Sequence, residues 1–203
     1  PGTCTSGSED DALRLIAEAI ASAFKARSHQ NVRVLLEHTA GQGRTVGHRF
    51  EHLATILAYL NGSPRVGVCL DTCHLLASGY NINDPSGYDE TFASFERLIG
   101  LDRLEVFHGN DSKKPCGSRV DRHEHIGKGF VGREPFRRLL NDPRFADLAI
   151  LIETEKARTS ERAGTLVVDP YDKRNLDTLR HLRRANETTT KATKITKNKT
   201  KLA

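Results

Sequence analysis

Four short apolar runs, each ending in a residue that can ligate a metal, constrain this chain more than any other feature. They are "VRVLLE" (32–37), "RVGVCLD" (65–71), "RLEVFH" (103–108) and "LAILIE" (148–153), and their ends fall 34 to 45 residues apart. Short runs rich in Val, Leu and Ile belong to strands buried on both faces, as in parallel sheets covered by helices. Amphipathic segments fill the intervals. Residues 9–26 carry Leu13, Ile16, Ala17, Ile20 and Phe24 as one apolar stripe, with Ser8 or Asp10 near the cap. Further helices are predicted over roughly 46–60, 89–99, 134–140 and 172–185. The pattern is that of an α/β fold with about four strand–helix units.

The four runs terminate in Glu37, Asp71, His108 and Glu153. The carboxyl edge of a parallel sheet is where α/β enzymes collect their chemistry from several strands. One acid in that place is an ordinary helix cap, but four ligand-type residues at four strand ends point to a site. A second stretch, "GSRVDRHEHIG" (117–127), places Asp121, His123 and His125 in a glycine-flanked segment with almost no apolar content. It reads as a loop in which nothing buries. Asp121 and His123 are two apart, so in an extended segment they project to one side and can chelate one divalent ion. The plain alternative is a solvated turn. With His74, three residues after Asp71, the candidate ligands number seven. Carboxylates and imidazoles together suit Zn²⁺ or Mn²⁺, and carboxylates can bridge two ions. Several metals close together suit displacement at phosphorus, where one ion activates water and another stabilises the leaving oxygen.

Charge and cysteine usage narrow the partners. The formal net charge is +5, yet residues 190–203 hold five lysines and no acid, so the rest of the chain is neutral. A lysine, threonine and asparagine tail of this kind cannot bury enough surface to fold. The expected organisation is one domain over 1–187 and a disordered tail over 188–203. The tail is either solubilising, a phosphate-binding arm through Lys191, Lys194 and Lys197, or a nuclear import signal. Cys69 and Cys73 flank Asp71, and the four cysteines form no CxxC pair. They are expected as reduced thiols of an intracellular protein, with a thiolate zinc site as the alternative. No apolar run approaches the ~20 residues of a membrane span, and "PGTCTSGSEDD" is no signal peptide. The expected compartment is the nucleus if the tail is an import signal, with the mitochondrion also open, and otherwise the cytoplasm or nucleoid.

Two blocks then carry a resemblance. "GVCLDTCH" (67–74) and "FHGNDSKKPCGSRVDRH" (107–123) resemble the downstream signatures of the endonuclease IV family of apurinic/apyrimidinic (AP) endonucleases. "LLEHTAGQG" (35–43), "IGKGFVG" (126–132), "PFRRLLNDPRF" (135–145) and "LIET" (151–154) resemble its other blocks in the same order, so the likeness runs from Pro1 to about Leu182. It implies a (β/α)₈ TIM barrel with three zinc ions that cuts duplex DNA on the 5′ side of an abasic site, leaving a 3′-hydroxyl and a 5′-deoxyribose phosphate. It implies a monomer when complete. By motif, Glu37 would bridge the first two metals. Asp71, His108 and Glu153 would complete the second, with Glu153 also orienting or deprotonating the attacking hydroxide. His74, Asp121 and His123 would hold the third.

The resemblance also implies what this chain lacks. It contains no methionine and begins at a Pro-Gly that in the family follows a ligand histidine. The chain is therefore expected to be the C-terminal half of the barrel, incomplete without upstream strands, with ligands for two zinc sites plus the bridging Glu37. Impaired activity is the corresponding expectation. The alternatives are a catalytically dead DNA-binding remnant and a metal-dependent sugar isomerase or epimerase. His38 stands in place of the usual Asn, Phe107 and Gly109 flank His108, and His125 and Lys128 stand where Asn and Glu are frequent. His38 and His125 are expected to be solvated or to sit beside the ligands, and Lys128 is a candidate phosphate contact.

Overall fold

The computed structural model describes residues 1–157 and 168–183. The lysine tail, with Lys191, Lys194 and Lys197, lies outside the described residues. In chain order the elements are β1 (Gly2–Thr3), α1 (Glu9–Ala26), β2 (Val34–Glu37), β3 (Thr45–Val46), α2 (Phe50–Tyr59), β4 (Val66–Asp71), α3 (Thr72–Ser78) and α4 (Pro85–Leu98). There follow β5 (Leu104–His108), β6 (Asp111–Ser112), β7 (His123–Glu124), α5 (Arg133–Asn141), β8 (Ala149–Leu151) and α6 over 170–183.

The four apolar runs pair as one parallel sheet in the order β2-β4-β5-β8. This is the α/β architecture expected from their spacing. The register decides where the chemistry lands. Glu37 lies beside Cys69, Asp71 beside His108, and His108 beside Leu151. Each step across the sheet is therefore level or offset by two residues, and an offset of two keeps side chains on one face. A register shift at Val68/Cys69 brings β5 into phase with the last turn of β4. Glu37, Asp71, His108 and Glu153 thus share one face at one edge of the sheet.

The opposite face is the core. Every residue of β4 is buried, and Phe50, Phe92, Phe95, Phe107 and Phe136 are fully enclosed between sheet and helices. The α1 helix begins at Ser8, not Asp10: Ser8 Oγ accepts the Asp11 N–H at 3.1 Å while Asp11 accepts the Ser8 N–H in return. That reciprocal pair satisfies two of the helix's free donors. On the outer edges of β2 and β8 there is no further strand among the described residues.

Three local expectations needed correction. The interval after Asp71 holds an additional helix, α3, whose residues are almost all buried and so show no amphipathic period to read. The long polar loop after His108 contains the antiparallel pair β6–β7, with Ser112 opposite His123. The last run is regular only to Leu151, because the Glu153 N–H is taken by the Asn110 side chain at 2.8 Å rather than by a neighbouring strand.

Candidate metal centre

The strand-end residues meet around one imidazole nitrogen. His108 Nδ1 lies 3.0 Å from Glu37 Oε1, 3.1 Å from Glu153 Oε2 and 3.9 Å from Asp71 Oδ2. Ligand atoms of all four residues fall within 4.8 Å of one another. One nitrogen can donate one proton, which cannot serve three carboxylates that also repel each other. The electrostatics record this. The His108 imidazole is pushed up to about 11, by contact with Cys69 and then with Glu37. Burial would raise the Glu37 carboxyl, but the hydrogen bond from His108 and the nearby His74 hold it below its usual value. A proton on His108 answers the surrounding carboxylates, a role that a bound cation could also fill.

The second group is His74, Asp121 and His123. His74 Nε2 lies 3.2 Å from Asp121 Oδ2, and His123 Nε2 lies 3.3 Å from Asp121 Oδ1. Each imidazole is held from behind by a backbone carbonyl: His74 Nδ1 donates to His38 O at 2.8 Å and His123 Nδ1 to Glu153 O at 3.2 Å. With Nδ1 donating, Nε2 is left to present a lone pair towards the carboxylate. Both Nε2 atoms are buried and lack a hydrogen-bond partner. Two acceptors aimed at a third is an arrangement that a divalent ion satisfies, and the mixed N/O donor set suits zinc. Protons are the substitute for such an ion. Burial opposes the charge on His74, but Asp121 and then Asp71 push it up to about 9, while Asp121 is held far below the carboxylate range by His123 and His74.

The two groups adjoin. Glu37 Oε1 is 3.4 Å from His74 Nδ1, and Asp71 Oδ2 is 3.6 Å from His123 Nε2. Asp71 does two jobs: Oδ1 caps α3 by accepting from Cys73 N at 2.7 Å and His74 N at 3.2 Å, leaving Oδ2 for the site. The helix-cap reading of this aspartate is realised through Oδ1, and Oδ2 remains within the candidate ligand group.

Sequence reasoning missed Asn110. Fully buried, it donates from Nδ2 to Asp71 Oδ2 at 2.6 Å and to Glu153 Oε2 at 3.4 Å. The signal that could have found it is its position two residues beyond His108, in a chain that buries few amides. Asp111 was missed for the same reason. It is fully buried and accepts the N–H groups of Ser112, Gly129, Val131 and Gly132, tying "GKGFVG" to β6.

His38 is not solvated. Its ring is fully buried between Phe50 and Tyr80, and burial, then His74, lowers it to about 3. It acts on the site through its carbonyl, which orients His74. His125 is half-buried and outside the candidate ligand groups among the described residues. The loop expected to bury nothing buries Ile126. Cys69 and Cys73 are free and buried, and burial pushes the Cys73 thiol up to about 12. Cys73 stands beside Asp71 and His123 as a third ligand-type group, but a thiol so hard to ionise is a poor donor next to two carboxylates. Lys128 is exposed on the loop between β7 and α5. No described helix is long and apolar enough to cross a membrane.

Comparison with known proteins adds an independent line. The profile of the family described as xylose isomerase-like TIM barrel matches residues 1–185. A probable endonuclease 4 of Chloroflexus aurantiacus is 52% identical over 156 residues, covering 77% of this chain and 55% of that protein. A probable endonuclease 4 of Geobacter sulfurreducens is 46% identical over 188 residues, covering 93% and 60%. The crystal structure of endonuclease IV from Thermus thermophilus superposes with a TM-score of 0.68 at 34% identity, covering 82% of this chain and 56% of that one. The chain thus spans between 55 and 60% of the length of these two curated relatives.

Proposed function

Because this chain belongs to the endonuclease IV family of xylose isomerase-like TIM barrels, we propose that it serves zinc-dependent hydrolysis of the phosphodiester 5′ to an abasic site in duplex DNA. The observation that carries the reading is the pair of buried, unpartnered imidazole nitrogens of His74 and His123 facing Asp121. Beside them stand three carboxylates around His108. Glu37, Asp71, His108 and Glu153 would hold one ion, with Glu37 free to bridge to another, and His74, Asp121 and His123 would hold a further one. Bound there, zinc supplies Lewis-acid stabilisation of phosphoryl oxygens and a lowered pKa for the attacking water.

The chain's own groups do the rest. Glu153 is the most solvent-reached carboxylate of its group, with 47% of its side chain exposed, which supports assigning it the role of taking a proton from water at the phosphorus. Asn110 keeps that carboxylate beside Asp71 by donating to both. The carbonyls of His38 and Glu153 keep both imidazoles turned with Nε2 inwards, so ligand geometry costs no rearrangement when substrate arrives.

The test is incision of an end-labelled duplex carrying one abasic site by the zinc-loaded protein. Cleavage should leave a 3′-hydroxyl and a 5′-deoxyribose phosphate, and chelation should abolish it. Interconversion of free sugars without incision would place the chemistry elsewhere among enzymes of this barrel.

A further inference from the structure

Asn175, on α6, is buried beneath the turn that follows β7 and is hydrogen-bonded to it. Its Oδ1 accepts the Ile126 N–H at 3.1 Å, so Nδ2 is the atom that meets Thr154 Oγ1 at 2.8 Å and His125 Nδ1 at 3.1 Å. An amide NH₂ only donates, so His125 Nδ1 accepts and the ring's N–H sits on Nε2. The turn itself is closed by Lys128 N–H donating to His125 O at 2.9 Å. Beyond the imidazole, the Tyr171 ring meets His125 edge-on at 4.9 Å, and the Arg174 guanidinium lies over Tyr171 with its carbon 4.7 Å from the ring centroid.

His125, Lys128, Tyr171 and Arg174 line one cavity of about 390 Å³. The carboxylate on its wall, Asp177, is engaged by Lys173 at 2.7 Å and Arg180 at 3.1 Å. An ammonium, a guanidinium held by stacking and an imidazole N–H around one hollow is the donor set that takes phosphate oxygens. The wall of the hollow is tied to the segment that carries Glu153, since Asn175 is hydrogen-bonded to Thr154, the next residue. We infer that this cavity is a subsite for a backbone phosphate of the duplex, flanking the phosphate that is cut. The inference rests on the nuclease reading. It names donors from two separate elements, the turn and α6, that would fix the register of the strand without reading its bases.

The experiment measures binding of the full 203-residue chain to a fluorescent duplex across a salt series. The variants are K128Q, R174Q and the double variant, with R14Q on α1 as a control and thermal melts to establish folding. Each phosphate contact contributes about 0.9 to the slope of log affinity against log salt. The double variant should therefore lose about 1.8 of the slope, each single variant about half of that, and R14Q none. Folded variants that keep the wild-type slope overturn the subsite while leaving the nuclease reading intact. A wild type that incises abasic duplex yet shows no salt-dependent binding overturns it as well. A wild type that neither binds nor cuts duplex sinks the parent reading. A parallel titration with inorganic phosphate, read from the backbone amide shifts of residues 125–128 and 171–178, separates the sources. Saturable shifts with free phosphate but not with duplex would assign the cavity to a small anion and overturn the polynucleotide assignment.

Discussion

Asn110 Nδ2 donates to Asp71 Oδ2 across 2.6 Å, inside a layer from which water is excluded. The same amide's Oδ1 accepts the Glu153 N–H at 2.8 Å, so one side chain ties β4 to the end of β8. A hydrogen bond to a charged group is worth roughly 1.5–3 kcal/mol. N110A should lose about that much stability, with or without zinc. N110D should do worse in chelator, because it adds a third carboxylate beside Asp71 and Glu153, and should recover part of the loss if zinc offsets the repulsion. Urea denaturation in EDTA and in zinc checks both. Equal losses for N110D in the two conditions would mean that the amide acts on packing alone.

Asp111 organises the following loop by accepting four backbone N–H groups, among them Val131 at 2.8 Å. Asp111→Asn must point an NH₂ at donors, so it should cost about 1–3 kcal/mol. Gly129 is constrained from the other side: a Cβ there would lie 2.2 Å from Ser112 O and 2.7 Å from Asp111 Oδ1. G129A should therefore destabilise the chain and loosen the 126–132 segment specifically. Hydrogen exchange at Val131 and Gly132 N–H reads the local effect, and protection unchanged in both variants would contradict it.

Without metal, stability should peak near pH 6.5. His74 is raised from 6.5 to about 9 and His108 from 6.5 to about 11, so their contributions are complete below 6.5 and fade as pH rises through those folded-state values. His38 is lowered from 6.5 to about 3, so its contribution is complete above 6.5 and is lost as pH falls. Zinc bound at the proposed site would displace the protons on His74 and His108, so in zinc the alkaline loss should shrink while the acid limb remains. Melting curves from about pH 5 to 9 in EDTA and in zinc test this, and an alkaline limb indifferent to zinc would count against metal at these imidazoles.

How much of this was legible depended on whether a residue's role shows as a periodic or terminal signal. Glu37, Asp71, His108 and Glu153 were legible because each breaks an apolar run at its carboxyl end, and parallel register with even offsets puts such ends on one face. The α1 helix was legible from its stripe and cap. The α3 helix was not, because burial on all sides removes the polar half of the helical pattern. Asn110 and Asp111 were not, because a buried amide and a buried acid look like loop residues until their distant partners, 18 to 43 positions away, are brought alongside. The burial of His38 was not legible, because the two aromatic rings that enclose it come from α2 and the segment after α3, which no local window contains.

Loss of each half of the site should leave a different signature, and this separates proton transfer from leaving-group stabilisation. Glu153→Gln keeps the shape of a side chain that lies 3.1 Å from His108 Nδ1, but removes both a negative charge from the ligand set and its most exposed basic oxygen. On the proposed nuclease reading, incision of an abasic duplex should fall by roughly 10²–10⁴, the range of a lost general base, and should not recover with added zinc. His123→Ala removes one of the two imidazoles facing Asp121, so zinc content should fall as well as rate, and excess metal should restore part of the activity. Binding to the uncut duplex should weaken less than turnover in both, since phosphate contacts elsewhere supply most affinity. Zinc stoichiometry after dialysis, measured beside gel-based incision rates, reads the two effects separately. Full zinc content in His123→Ala would remove that imidazole from the ligand set, and near-normal incision by Glu153→Gln would move the proton-accepting role to another group.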